Sequence, residues 1–184
     1  NRNNPYSFDD YLLVRDHFDF YQDDPLFQAL VEKYVPSEEF KRVEKELKEL
    51  SEKVSHEWSE MADEATRLDN RNKITNVLHY DAHNHRIDRI RRCGETKKLE
   101  REIFNLGLFD PEKNTPWSRF VKLCLLYQLG EIGIMCPIAC THGAVELMQK
   151  YEGELGPEAR KSLGSLRDGI GGFYENGDYG IGAQ

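Results

Sequence analysis

Two stretches of this sequence hold residue types that can do chemistry. In HYDAHNHRID, the side chains of His79, Asp81, His83, His85 and Asp88 fall within ten residues. Imidazole and carboxylate at such spacing suit zinc or iron, and a metal held there would acidify a bound water for hydrolysis. A hydrolase of that kind needs a parallel barrel of strands and further ligands from a second segment. The remaining histidines, His17, His56 and His142, are isolated from one another, and nothing else in the chain alternates strand with helix. Exposed polar residues at a hairpin tip are the plainer reading. A metal-dependent hydrolase using His79, His83 and His85 is the least supported one.

The second stretch is GEIGIMCPIACTHGAVELM, Gly130 to Met148. It has only Glu131 and Glu146 as charged residues in a chain that is 32% Asp, Glu, Lys and Arg. Cys136 and Cys140 stand four apart, on one face if both are helical. A thiolate metal site would need about two further ligands, and His142 alone is not enough. Buried, reduced thiols are therefore expected, as for Cys93 and Cys124, because the spacing fits neither paired CxxC motifs nor a small disulfide framework. Gly130, Gly133, Ala139 and Gly143 say more. Each glycine costs up to about 1 kcal/mol of helix propensity, so small residues in an apolar run point to close approach by a neighbouring helix or a flat ligand. No nucleophile with an evident base, no P-loop and no GxGxxG is present; GIGG (Gly169 to Gly172) and GIGA (Gly180 to Ala183) lack the dinucleotide-binding spacing.

The elements that would position these residues are mostly helical. Residues 1–24 are aromatic and acidic and read as an arm or short helices lying against the body. Asp24-Pro25 is an N-cap followed by proline at the first helical position, opening a helix to about Tyr34. From about Glu38 to Leu68 the apolar residues Phe40, Val43, Leu47, Leu50, Val54, Trp58, Met61, Ala65 and Leu68 recur in steps of three and four. This predicts one long helix, roughly 46 Å if unbroken. ITNVLHY and RIDRIRR around the tip DAHNH predict a hairpin outside the bundle. A helix from about Thr96 to Leu106 should stop at Gly107. Thr115-Pro116 opens another, apolar nearly all round, to about Ile134. Pro137 is expected to start a new helix running to about Tyr151, and Gly156-Pro157 one more to about Leu166. The glycine-rich end, GFYENGDYGIGAQ, turns strand-like, as though a second domain began there and the chain had been cut.

A chain of 184 residues is long enough for one sizeable core. Its net charge of −8 disfavours non-specific binding of nucleic acid or an anionic membrane. The basic cluster Arg86, Arg89, Arg91, Arg92, Lys97 and Lys98 is interleaved with Asp88 and Glu95 and reads as a solvated face. There is no apolar run long enough for a membrane span and no signal-peptide core at the N-terminus.

Three pieces, in order, resemble the acyl-CoA dehydrogenases, and more closely their AidB-like branch. These are the arm NPYSFDDYL…QDDPLFQALV, the hairpin with HRIDRI leading into a helix, and GIMCPIACTHGAVELM followed some thirty residues later by YGIGAQ. The resemblance implies an all-α fold: the N-terminal helical-bundle domain of an acyl-CoA dehydrogenase-like flavoprotein, with a small β-hairpin. It divides the chain into an arm (1–36), a helical domain (37–175) and the first residues of a truncated β-domain (176–184). It further implies FAD in the full-length parent, an acyl-CoA-type substrate, a homo-oligomer and a cytoplasmic location. The flavin motif and the catalytic base are expected beyond Gln184, and DNA contacts in the AidB-like branch belong to the C-terminal part. Met135, Cys136, Cys140 and Thr141 would lie near the closed end of the acyl pocket, with His142 packed or at an interface. The alternatives are a non-catalytic helical interaction module or an AidB-like DNA-damage-response flavoprotein.

Overall fold

The computed structural model describes residues 4, 6–66, 76–91, 93–130 and 132–167. The described residues form a helical domain with a single antiparallel hairpin outside it. In chain order the elements are α1 (Asp9–Arg15), α2 (Pro25–Tyr34), α3 (Ser37–Ser55), α4 (Glu57–Thr66), β1 (Asn76–Tyr80), β2 (Arg86–Arg91), α5 (Gly94–Phe104), α6 (Pro116–Leu126), α7 (Ile132–Lys150) and α8 (Pro157–Arg167). The expected beginning of a β-domain at 176–184 lies outside the described residues. None of the described helices is long and apolar enough to cross a membrane.

The apolar stripe expected along residues 38–68 is present as far as Ala65, Leu68 lying outside the described residues. Val43, Leu47, Val54 and Trp58 are fully buried, and Leu50 and Ala62 nearly so. The single long helix is not. The chain breaks at His56, which has φ −123° and ψ −94°, and restarts at once as α4. No glycine or proline marks the break. Its cause is tertiary: α3 lies along α6, whereas α4 lies along α5. Trp58 is drawn onto α5, where its indole Nε1 donates to Glu102 at 2.8 Å. A straight helix could not serve both neighbours.

The expected caps are present where their chemistry is local. Asp24 accepts from the Phe27 amide at 2.9 Å with Pro25 in the first turn of α2. Thr115 accepts from Ser118 at 3.2 Å with Pro116 following. At α5 the cap is sulfur: the Cys93 Sγ accepts from the Thr96 amide at 3.4 Å. After α6 a 3-10 turn, Tyr127–Leu129, ends at Gly130 with φ 66°, a left-handed conformation that glycine adopts without a Cβ penalty. The helix break therefore falls at Gly130 rather than at Pro137. Pro137 sits buried inside α7 as its sixth residue, where its missing N–H forgoes the bond to the carbonyl of Gly133. Nor is α6 enclosed all round, since Trp117 and Phe120 are exposed.

Between α1 and α2 the arm is pinned by a buried polar cluster. Asp19 accepts from the amides of Tyr21 (2.9 Å) and Gln22 (2.7 Å) and from the Ser51 hydroxyl at 2.5 Å. The Ser51 and Ser55 hydroxyls of α3 in turn accept from the amides of Tyr21 and Phe20, each at 2.9 Å. Burial pushes the Asp19 carboxyl upward, but the Gln22 amide, the Ser51 hydroxyl and the other donors outweigh it and hold the group below its ordinary value. A second polar seam joins α3 to α6. The Lys122 ammonium, nearly buried, lies 2.6 Å from Glu46 and 2.7 Å from Asn114 Oδ1. Asn114 is itself oriented by donating to the Gly107 carbonyl at 2.8 Å. Burial raises Glu46, but Lys122 and Arg42 overcome that and leave it lowered.

Two outcomes follow. Asp19→Asn should cost about 1–3 kcal/mol of unfolding free energy at neutral pH. Because the folded-state value of Asp19 lies below the unfolded one, its contribution is complete above about pH 4 and fades as pH falls through the folded value. The gap between wild type and variant in denaturant titrations should thus close in acid. Glu46→Ala leaves a buried ammonium short of its counter-charge, so it should destabilise by about 1–3 kcal/mol, and by more than Lys122→Met, which keeps the volume and removes the charge. Chemical denaturation of the two variants gives the order.

Candidate functional site

Helix α7 carries the residues that the sequence singles out. Its period sorts them onto two faces. Ile134, Met135, Ile138, Thr141 and Val145 are buried, and α7 packs on α5 and α8 through this side. Gly133, Cys136, Ala139, Cys140 and Gly143 point the other way and are exposed. The four expected pocket residues are therefore split: Met135 and Thr141 lie inside the domain, and Cys136 and Cys140 lie on its surface. The Thr141 hydroxyl is buried with no hydrogen-bond partner among the described residues.

The expectation of buried thiols holds for Cys93 alone. Cys124 is half-buried and Cys136 and Cys140 are exposed; none is in a disulfide. Apolar neighbours in the sequence could not reveal this, because they do not say which face of the helix meets the core. Burial pushes the Cys124 thiol up. Tyr127, at the end of α6, lies close enough to both exposed thiols to feel them. Burial raises its phenol first, and charge on Cys136 and Cys140 raises it further. Gly143 of α7 does not receive a neighbouring helix among the described residues either. A Cβ at Gly143 would meet nothing within 4 Å. Among the described residues the small-residue face is exposed, with Tyr127 near its two thiols.

One end of α7 is clamped to α6. The Arg119 guanidinium, almost wholly buried, donates to the Glu146 carboxylate, and His142 Nε2 lies 3.6 Å from the same carboxylate. The His142 imidazole stacks on Phe109 with ring centroids 6.1 Å apart. Burial lowers the His142 value, Arg119 lowers it further, and Glu146 opposes both. This matches a packed histidine, one of the two roles considered for it. The sequence gives no sign of the Arg119–Glu146 pair, because its members are 27 residues apart in the chain.

The histidines of the hairpin are committed to the hairpin. β1 and β2 pair antiparallel, with Val77 opposite Ile90 and Tyr80 opposite Arg86, as a two-stranded sheet and not as the edge of a barrel. Asp81 accepts from the amides of His83 (2.8 Å) and His85 (2.9 Å), and His79 Nδ1 lies 2.8 Å from Asp88. Among the described residues no three His, Cys, Asp or Glu side chains come together to hold a metal. The barrel that a hydrolase of this kind requires is replaced by a solvent-exposed ribbon, so the HxH reading loses its structural basis.

Comparison with solved structures matches this helical domain to part of the acyl-CoA dehydrogenase fold. The chain overlays on ACDH-11 from Caenorhabditis elegans, solved in complex with C11-CoA, with a TM-score of 0.69 at 22% identity. The overlay takes in 81% of this chain but only 26% of ACDH-11, so the chain spans about a quarter of that protein. Comparison with curated proteins gives no match. Residues 14–163 match the Adaptive response protein AidB N-terminal domain, and the chain belongs to that family.

The sorting of thiols has a direct readout. In the native 184-residue chain, Cys136 and Cys140 should consume a small thiol reagent rapidly, while Cys93 should react only on unfolding. Cys136→Ser and Cys140→Ser should each remove one fast equivalent in a spectrophotometric thiol titration.

Proposed function

We propose that this chain is the N-terminal portion of a flavin-dependent acyl-CoA dehydrogenase-like oxidoreductase, and that the open face of α7 walls its acyl pocket. The observation that carries the reading is that open face. Cys136, Cys140 and Gly143 are exposed on the most apolar of the described helices, and a Cβ at Gly143 would meet nothing within 4 Å. Met135 and Thr141 stand behind them on the inner side of the same helix. Membership of the AidB N-terminal domain family and the fold shared with ACDH-11, itself solved with an acyl-CoA, support the same reading. The division into arm, helical domain and the start of a β-domain is part of this proposal, as are the homo-oligomeric state and the cytoplasmic location.

The helix N-termini of α2, α5 and α6, whose amides could meet a pyrophosphate, are closed by the side chains of Asp24, Cys93 and Thr115. When bound to the full-length protein, the flavin would accept hydride from Cβ of the acyl thioester while a carboxylate beyond this chain removes the proton from Cα. What α7 itself supplies is shape and water exclusion. Side chains without charge and without bulk let an alkyl chain approach the helix closely, and the domain core behind them keeps the wall rigid.

Purified full-length protein should carry flavin with its visible absorbance, and an acyl-CoA should bleach it. Protein without flavin, or flavin left oxidised by a panel of acyl-CoAs of different length, would sink the reading. The second result would favour an interaction module instead. Within the proposal, Cys140→Trp should lower kcat/KM for the longest accepted acyl chain by about tenfold or more and spare shorter ones, since lost apolar burial amounts to about 0.8 kcal/mol per methylene.

A further inference from the structure

The hairpin holds apolar residues that the domain core does not use. Val77, Leu78 and Tyr80 on β1 and Ile87 and Ile90 on β2 are all between 38% and 57% exposed. The sheet has two strands, so among the described residues each strand keeps one outer edge without a partner. A ribbon of this kind is marginal in water, where three or more strands are the usual minimum. An open edge is also a row of N–H and C=O groups ready to pair with another strand.

The two edges are not alike. β2 reads RIDRIR, with Arg86, Asp88, Arg89 and Arg91 charged. It is also bulged: Leu78 stands opposite Arg89 but Tyr80 stands opposite Arg86, so three steps along β2 match two along β1. The bulge includes Asp88, whose φ of 43° is left-handed. Charge and a bulge are two devices that keep a strand edge from pairing. β1 has neither. Its sequence, NVLHY, contains no Asp, Glu, Lys, Arg or Pro, and its Val77 and Tyr80 favour strands.

We propose that the free edge of β1 pairs antiparallel with the same edge of a second copy, across a two-fold axis. The product is one four-stranded sheet in the order β2–β1–β1–β2. Two properties of the hairpin select a second copy as the occupant. β1 against β1 brings no like charges together, whereas β2 against β2 would set its arginines against one another. The joined sheet then presents only β2 edges, charged and bulged, so it closes at two copies instead of growing. A single copy holds the ribbon only as a marginal hairpin; pairing brings Leu78 and Tyr80 close to their own copies across the seam. This contact specifies the homo-oligomer proposed above and rests on that part of the reading alone, since the hairpin shares no residue with the small-residue face of α7.

In an antiparallel pair related by a two-fold axis, the central residue lies opposite its own copy. Its two Cα atoms are then about 4.5–5.5 Å apart, within disulfide range. The test uses the full-length protein carrying Cys136→Ser and Cys140→Ser, which removes the exposed thiols of α7. Val77→Cys, Leu78→Cys and His79→Cys are added singly and oxidised mildly. At least one should give a covalent dimer, mapped to that position by peptide mass spectrometry, about tenfold faster or more than Ile87→Cys or Ile90→Cys. The two β2 strands would lie about 14 Å apart, three strand spacings, beyond reach of a disulfide. All five positions are exposed on the ribbon, so the bundle is not at stake. No covalent dimer from any β1 variant, or equal rates on β1 and β2, would overturn the inference. Sedimentation separates the two readings. A monomeric full-length protein removes the homo-oligomer and this contact together, whereas an oligomer that does not cross-link through β1 removes this contact alone.

Discussion

One apolar stripe governs this domain. Val43, Leu47, Leu50, Val54, Trp58 and Ala62 run down α3 and α4 with almost no exposure, and each helix that packs on them is placed by them. Fully burying a large apolar side chain is worth about 1.5–3 kcal/mol, so no other feature of the chain competes with this seam. Its cost is geometric. The stripe has to satisfy α6 at one end and α5 at the other, and the chain yields at His56 so that the apolar period can continue through the bend. With α5 and α6 fixed, α7 can reach the core with only one face. The other face is exposed among the described residues.

Polar groups then decide which segments meet. Asp19 with Ser51, Lys122 with Glu46, and Arg119 with Glu146 each join parts of the chain well separated in sequence, and each includes at least one buried member. Apolar contacts alone tolerate small slips, whereas a buried charge without its partner is severely penalised. These three seams fix the arm on α3, α6 on α3 and α7 on α6. They leave the apolar stripe to supply the energy.

The fold was legible where causes are local. Asp24-Pro25 and Thr115-Pro116 announce helix starts because cap and proline act within one turn, and the steps of three and four reveal the core of α3 and α4. The hairpin shows in its alternation and polar tip. What was hidden has causes elsewhere in the molecule. The bend at His56 answers to two different neighbours, and nothing in Ser55-His56-Glu57 marks it. Pro137 misleads because it stands inside α7 as its sixth residue, where the buried side of the helix offsets the lost hydrogen bond. Burial of Cys136 and Cys140 was misjudged because hydrophobic company in sequence is not company in space. The candidate site was legible as a stretch but not as a face, and the partners of Lys122 and Arg119 were not legible at all.

The hairpin has a bearing on how the molecule breathes. Every residue of β2 is exposed, and so are Val77, Leu78 and Tyr80 of β1, so the ribbon is held by its own ladder and by Asp81 rather than by the core. A lone two-stranded ribbon is at best marginally stable in water. Its amides are therefore protected from hydrogen exchange by a local equilibrium only, far shallower than the one guarding α3. The ribbon can open and close many times while the bundle stays folded.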